Sequence, residues 1–159
     1  MKKILLIFSV LLLTMTSCLK QGLEDVESSS LCDLSNVEFE YRWAKETLNS
    51  SGEPTGVYEL HYKGLIVDKT IDKENHKVTI KLNVPNASGD FTNDIRGDVM
   101  LSNLTCMFTV STAASVKPLG DAPKLGKPGD FSDMTYTYRI IAAAGNYTDW
   151  VIDIVEFKK

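Results

Sequence analysis

The chain holds 159 residues, 43% apolar, 24% charged and 9% aromatic, with a formal net charge of −4. That mix excludes a disordered tail, a collagen-like rod and a multispan membrane protein, and the length fits one domain. The acidic balance argues against nucleic acid as a partner, because such affinity comes largely from clustered Lys and Arg neutralising phosphates.

The first element is an export signal. Lys2-Lys3 precede an apolar run from Ile4 to Met15, broken only by Ser9 and Thr14, and the small pair Thr16-Ser17 comes before Cys18. About 20 apolar residues are needed to cross the bilayer, so a run this short predicts cleavage of residues 1–17 rather than a membrane span. Removing Lys2 and Lys3 leaves 15 basic against 21 acidic residues, a net charge of −6.

Met15-Thr16-Ser17-Cys18 resembles the lipobox of bacterial lipoproteins, with Met15 where leucine is usual. The resemblance implies that Cys18 becomes the first mature residue and carries a thioether-linked diacylglycerol plus an amide-linked third chain. Two or three acyl chains give lasting attachment where one is reversible. The membrane is therefore the first expected partner, and the expected location is the cell envelope, as an outer membrane lipoprotein on its periplasmic or its surface-exposed face. Residues 18–31 read as a tether, with Glu24-Asp25-Val26-Glu27 followed by Ser28-Ser29-Ser30, reaching at most about 45 Å from the lipid. The acidic residues resemble the surface-export signals of Bacteroidota-type lipoproteins.

From Cys32 to Lys159 the pattern has period two. Val37, Phe39, Tyr41 and Trp43 alternate with Glu38, Glu40 and Arg42. Tyr58, Leu60 and Tyr62 alternate with Glu59 and His61, Leu65 to Ile71 is extended, and Val78, Ile80, Leu82 and Val84 alternate with polar residues. Leu104–Val110, Ser115–Lys117, Thr135–Ala142 and Trp150–Phe157 follow, separated by turn residues at Gly120, Pro128-Gly129 and Gly145-Asn146. These are half-buried strands. They predict an all-β fold, an immunoglobulin-like antiparallel β-sandwich of about seven strands, with Trp43 and Trp150 as core anchors.

Beyond Cys18, Cys32 and Cys106 leave two readings open: a disulfide closing a long loop, contributing roughly 4 kcal/mol in the chain-entropy model, or two reduced, buried thiols. Val78-Thr79-Ile80-Lys81-Leu82-Asn83-Val84-Pro85, Ala114-Ser115-Val116-Lys117-Pro118, Gly129-Asp130-Phe131-Ser132, and Tyr136-Thr137-Tyr138 through Gly145 to Trp150-Val151-Ile152 together resemble a domain of unknown function, immunoglobulin-like or PKD-like, of Bacteroidota envelope lipoproteins. The resemblance implies a fold and an address and supplies no active site. Ala144 stands where that family commonly carries an acidic residue.

No catalytic set emerges. His61 and His76 lie far apart in the chain with no metal-spaced partner, so neither a zinc site nor a nucleophile–base pair is expected, and no cofactor follows. Asp90, Asn93, Asp94 and Asp98 offer oxygen ligands, but the spacing is not that of a helix-flanked calcium loop, and a solvated polar loop is the expectation. Most aromatics fall in core registers. Tyr147, beside the Gly145-Asn146 turn, is the exception and the candidate ligand-binding residue. The expected role is a non-catalytic binding module, with extracellular glycans or a protein as partner. The alternative is a structural accessory subunit of a surface complex or adhesive fibre.

Overall fold

A computed structural model describes residues 28–159. The signal segment, Cys18 and the acidic tether residues lie outside the described residues. Two face-packed sheets make an all-β sandwich: one has four strands in the order β2-β1-β5-β7, the other five in the order β3-β4-β9-β8-β6. The strands are β1 (Leu34–Leu48), β2 (Pro54–Gly64), β3 (Ile66–Asp72), β4 (Lys77–Asn83), β5 (Leu104–Val110), β6 (Ser115–Leu119), β7 (Pro128–Gly129), β8 (Thr135–Ile141) and β9 (Tyr147–Lys158).

The period-two pattern decides what lies inside. Val37 and Phe39 of β1, Leu104 and Cys106 of β5, Val78, Ile80 and Leu82 of β4, Tyr136, Tyr138 and Ile140 of β8, and Trp150, Ile152 and Ile154 of β9 all turn into the space between the sheets. Phe131 closes one end of that core, edge-on to Phe39 at 5.1 Å and to Tyr136 at 5.4 Å. The Asp130 carboxylate accepts from the Ser132 amide at 2.9 Å and shapes the turn that holds Phe131 in place.

Several expectations need correcting. Among the described residues there are nine strands where about seven were expected, and Pro128-Gly129 is a short strand on β5 and not only a turn. The sandwich is not wholly antiparallel, since β4 and β9 run parallel. Residues 93–98 form a short helix, α1 (Asn93–Asp98), where a loop was expected; the Thr92 side chain caps it by accepting from the Ile95 amide. Part of the segment read as tether also touches the sandwich. The Ser29 and Ser30 carbonyls accept from the Ala144 amide and from Asn146 Nδ2, docking this segment on the β8–β9 turn.

β1 is 15 residues long, and its two halves have different neighbours. Leu34–Glu40 pairs with β5, whereas Glu40–Leu48 pairs with β2. Beyond Glu40, β1 and β2 therefore continue as a two-stranded arm with no third strand beside it in the sheet.

Candidate interaction surface

The arm is the feature that burial of a core does not explain. The Leu65 amide donates to the Phe39 carbonyl at 2.8 Å, and the same register runs on through Tyr41↔Lys63, Trp43↔His61 and Lys45↔Glu59. In an antiparallel ladder, bonded and non-bonded pairs alternate. The odd-numbered residues of β2 thus point their amides and carbonyls at β1, while Tyr58, Leu60 and Tyr62 aim theirs at the outer edge. Among the described residues no strand occupies that edge.

Side chains divide by the same parity. Opposite residues in a pair share a face, so Tyr58, Leu60 and Tyr62 stand with Glu46, Ala44 and Arg42 on one face of the arm. They are 64%, 69% and 68% exposed. This corrects their reading as a half-buried stripe: the alternation is there, but nothing among the described residues covers it.

The other face is packed. Trp43 stacks on Tyr41 and on His61, and Phe91 leans against it with ring centroids 5.7 Å apart. Lys63 donates to Ser88 Oγ at 2.9 Å and lies over the Phe91 ring. Lys45 bonds Asp90; that hydrogen bond, helped by the ammonium charge, holds the Asp90 carboxyl below its usual range. Trp43 is accordingly a half-buried brace for the arm rather than a central core anchor, and His61 is its stacking partner rather than a free polar side chain. Asp90, offered above as an oxygen ligand, is committed to Lys45.

At the root of the arm lies a cavity of about 380 Å³, bordered by Glu38, Glu40, Lys69 and Met107. Its charges are engaged: Arg42 bonds Glu40 and the Gly126 carbonyl, and Lys69 donates to the Val37 carbonyl at 2.9 Å. Among the described residues no group of three His, Cys, Asp or Glu side chains is placed to hold a metal.

Tyr147 sits far from the arm, at the start of β9, and is 56% exposed. The Arg139 guanidinium lies 3.8 Å over its ring and is fixed there by two bonds to Asp149, at 2.7 and 2.8 Å. One ring face is thus already covered by a cation. Cys32 and Cys106 are both free. Cys32 Sγ is 2.9 Å from Thr148 Oγ1, and Cys106 is buried on β5 opposite Phe39.

A family model described as DUF5018-related matches residues 34–153. The chain belongs to the DUF5018-related family. In this DUF5018-related chain the match spans β1 to the middle of β9 and includes the whole arm and Tyr147, a wider region than the Val78–Phe157 stretch that carried the resemblance in the sequence. The fold is similar to the 1.81 Å crystal structure of a protein assigned as secreted (BF4250) from Bacteroides fragilis NCTC 9343. The two are 30% identical with a TM-score of 0.72, over 84% of this chain and 100% of that one. No curated protein matches the DUF5018-related chain.

Proposed function

We propose that this protein is a lipid-anchored module of the cell envelope that works by binding rather than catalysis, and that the β1–β2 arm is its binding element. The observation that carries the reading is the row Tyr58, Leu60 and Tyr62, each about two-thirds exposed on an unpaired edge strand. Large apolar side chains in a contiguous exposed row mark interaction sites, and an open edge adds main-chain donors and acceptors for a partner. The sandwich is read as immunoglobulin-like, which suits a scaffold presenting an edge or a loop.

Anchorage is supported by the lipobox resemblance at Cys18 and by the secreted assignment of the Bacteroides fragilis relative. The chain enters the fold at Ser29, beside the β8–β9 turn. From there β1 runs 15 residues, roughly 50 Å at the usual strand rise. An anchor at Cys18 would thus leave Tyr147 near the tethered end and the arm at the far end, reaching away from the lipid.

A glycan is the second reading for the ligand, and it rests on Tyr58 and Tyr62, whose rings stand on one face of the strand with Leu60 between them. A photo-crosslinking side chain placed at Tyr62 on intact cells tests the binding role. A discrete adduct at Tyr62 and none at Tyr147 is expected; no adduct at Tyr62 rejects the arm. Cys18→Ala should abolish incorporation of a palmitate analogue and release the protein from the membrane fraction, and unchanged labelling rejects the anchor. A glycan array with Tyr58→Ala and Tyr62→Ala controls separates sugar from protein ligands.

A further inference from the structure

We infer that the partner of the arm is a second copy of this chain, joined edge to edge and antiparallel through β2 about a two-fold axis at Leu60. The inference rests on the arm being the binding element and supplies its ligand class.

Among the described residues four strands lie at sheet margins, and β2 is the one left open. β7 is two residues long, β6 carries Lys117 and Pro118, and β3 carries Asp68, Lys69 and Asp72. Short length, charge and proline are the usual means of keeping an edge from pairing. In β2 the only proline is its first residue, Pro54. Its one lysine, Lys63, is drawn under the arm to Ser88 and Phe91, and its one carboxylate, Glu59, stands 3.8 Å from His61 of the same strand, so the edge carries a complementary pair rather than a single-sign guard.

The sequence of that edge is self-complementary. Tyr58, Leu60 and Tyr62, whose amides and carbonyls face outward, read the same in both directions about Leu60. An antiparallel partner in that register puts Leu60 opposite Leu60 and each Tyr58 opposite the other copy's Tyr62, and every one of these pairs can exchange main-chain hydrogen bonds. Between them, Glu59 of each copy faces His61 of the other. The carboxylate thereby meets an imidazole donor twice, in pairs of the kind that stabilise sheets. Side-chain parity permits only registers that differ by two residues. Of the neighbouring registers, one puts Glu59 opposite Glu59 at the axis, a like-charge pair; the other puts His61 opposite His61, needs Lys63 to leave Ser88 and Phe91 to meet Glu59, and breaks the match of Tyr58 with Tyr62. The outward row and the Glu59–His61 pairs together favour the alignment at Leu60, and a two-fold axis makes the contact closed rather than filament-forming.

The far end of the ladder is also fixed by the chain. Gly56 has φ +73, a left-handed conformation open to glycine, and its amide turns back to Glu46 Oε1 at 2.8 Å. The outward pattern therefore stops just before Val57.

The test uses the lipid-anchored protein in cells and the same full-length mature protein in detergent. Leu60→Cys should give a covalent dimer on mild oxidation of intact cells, well above the background of Met100→Cys, an exposed position elsewhere. In sedimentation at micromolar concentration the wild type should run as a dimer. Leu60→Pro, which removes an amide that β1 does not use, and Glu59→Lys should each weaken association on the order of tenfold or more. Both variants should keep the wild-type circular dichroism, which separates lost pairing from a folding defect. Leu60→Cys dimers no more abundant than the Met100→Cys background, a monomeric wild type, or undiminished association of folded Leu60→Pro and Glu59→Lys would overturn the inference. A Tyr62 crosslink to a different protein or to polysaccharide would overturn self-pairing and leave the arm as a binding element; no crosslink at all would reject the arm itself.

Discussion

The indole of Trp43 lies on the imidazole of His61, ring centroids 5.6 Å apart and planes 27° from parallel, across a bonded pair of β1 and β2. This contact, with Phe91 beside it, is what braces the arm against the body. The Trp43 Nε1 group is buried without a hydrogen-bond partner among the described residues, and such an orphan costs about 1–3 kcal/mol. Trp43→Phe should therefore stay within about 1 kcal/mol of wild type, because lost area is offset by removal of the orphan donor. Trp43→Ala should cost about 1–3 kcal/mol and release the arm locally. Hydrogen exchange would register this as faster exchange over residues 57–63 with the β8–β9 core unchanged; uniform loss of protection would refute a local bracing role.

A second expectation concerns the loop beside β5, whose Gly126 amide donates to the Cys106 carbonyl at 2.9 Å. A Cβ added at Gly129 would sit 2.6 Å from Pro123 Cβ, well inside contact distance. The loop cannot easily yield, because the Pro123 carbonyl accepts the Tyr138 hydroxyl at 2.8 Å and Tyr138 is fully buried. Gly129→Ala should cost about 1–3 kcal/mol, read as a lower denaturant midpoint with an unchanged slope. Tyr138→Phe in the same background should relieve part of that cost by freeing the loop, and strictly additive effects would argue against the coupling.

The strands were legible because their period of two states which residues point together, and Val37, Phe39, Ile80 and Trp150 all proved inward. What the period does not state is whether a face has a covering partner. Tyr58, Leu60 and Tyr62 alternate as cleanly as Val78, Ile80 and Leu82, and only the register reveals that their β1 neighbours are Glu46, Ala44 and Arg42. A signal was present: the large apolar residues of β1 from Val37 to Trp43 are all odd-numbered, and its even positions Arg42, Ala44 and Glu46 offer no large apolar mate to the strand opposite. The parallel β4–β9 pairing is a long-range choice with no local signature. The helix at Asn93–Asp98 is too short to show a stripe, although Thr92 three residues before Ile95 is a cap signal. Tyr147 is exposed beside its turn, and its cover by Arg139 depends on β8 and β9 being neighbours.

Acid should unfold the protein through particular aspartates. Hydrogen bonds from Lys77 and then Thr135 hold the Asp153 carboxyl below its usual range, and the bond from Arg139 does the same for Asp149. A carboxyl lowered in the folded state contributes stability that is present above the unfolded value of about 4 and is lost as pH falls through the lower folded value. The denaturant midpoint should thus be flat from neutral pH down to about 5 and fall below about 4. Asp153, with a side chain 24% exposed against 53% for Asp90, should matter more, since exposed pairs contribute little. Asp153→Asn should lower stability at neutral pH and flatten the acid limb, whereas Asp90→Asn should do neither; the reverse order would refute this ranking.

The two domain cysteines should behave as separate thiols of opposite reactivity. Cys106 is fully buried between Leu104 and Phe108, and desolvation pushes its thiol well above the ordinary value, so little of the reactive thiolate exists in the native state. Cys32 is partly exposed at the edge of the fold, within reach of Thr148 and Asn146. A maleimide reagent should label Cys32 in the native protein and reach Cys106 only after denaturation. With each thiol engaged in its own surroundings among the described residues, unfolding curves with and without reductant should coincide. A reductant-sensitive loss approaching the roughly 4 kcal/mol of a long-loop disulfide would instead require Cys32 to leave Thr148 and Cys106 to leave the core, at odds with the packing of both residues.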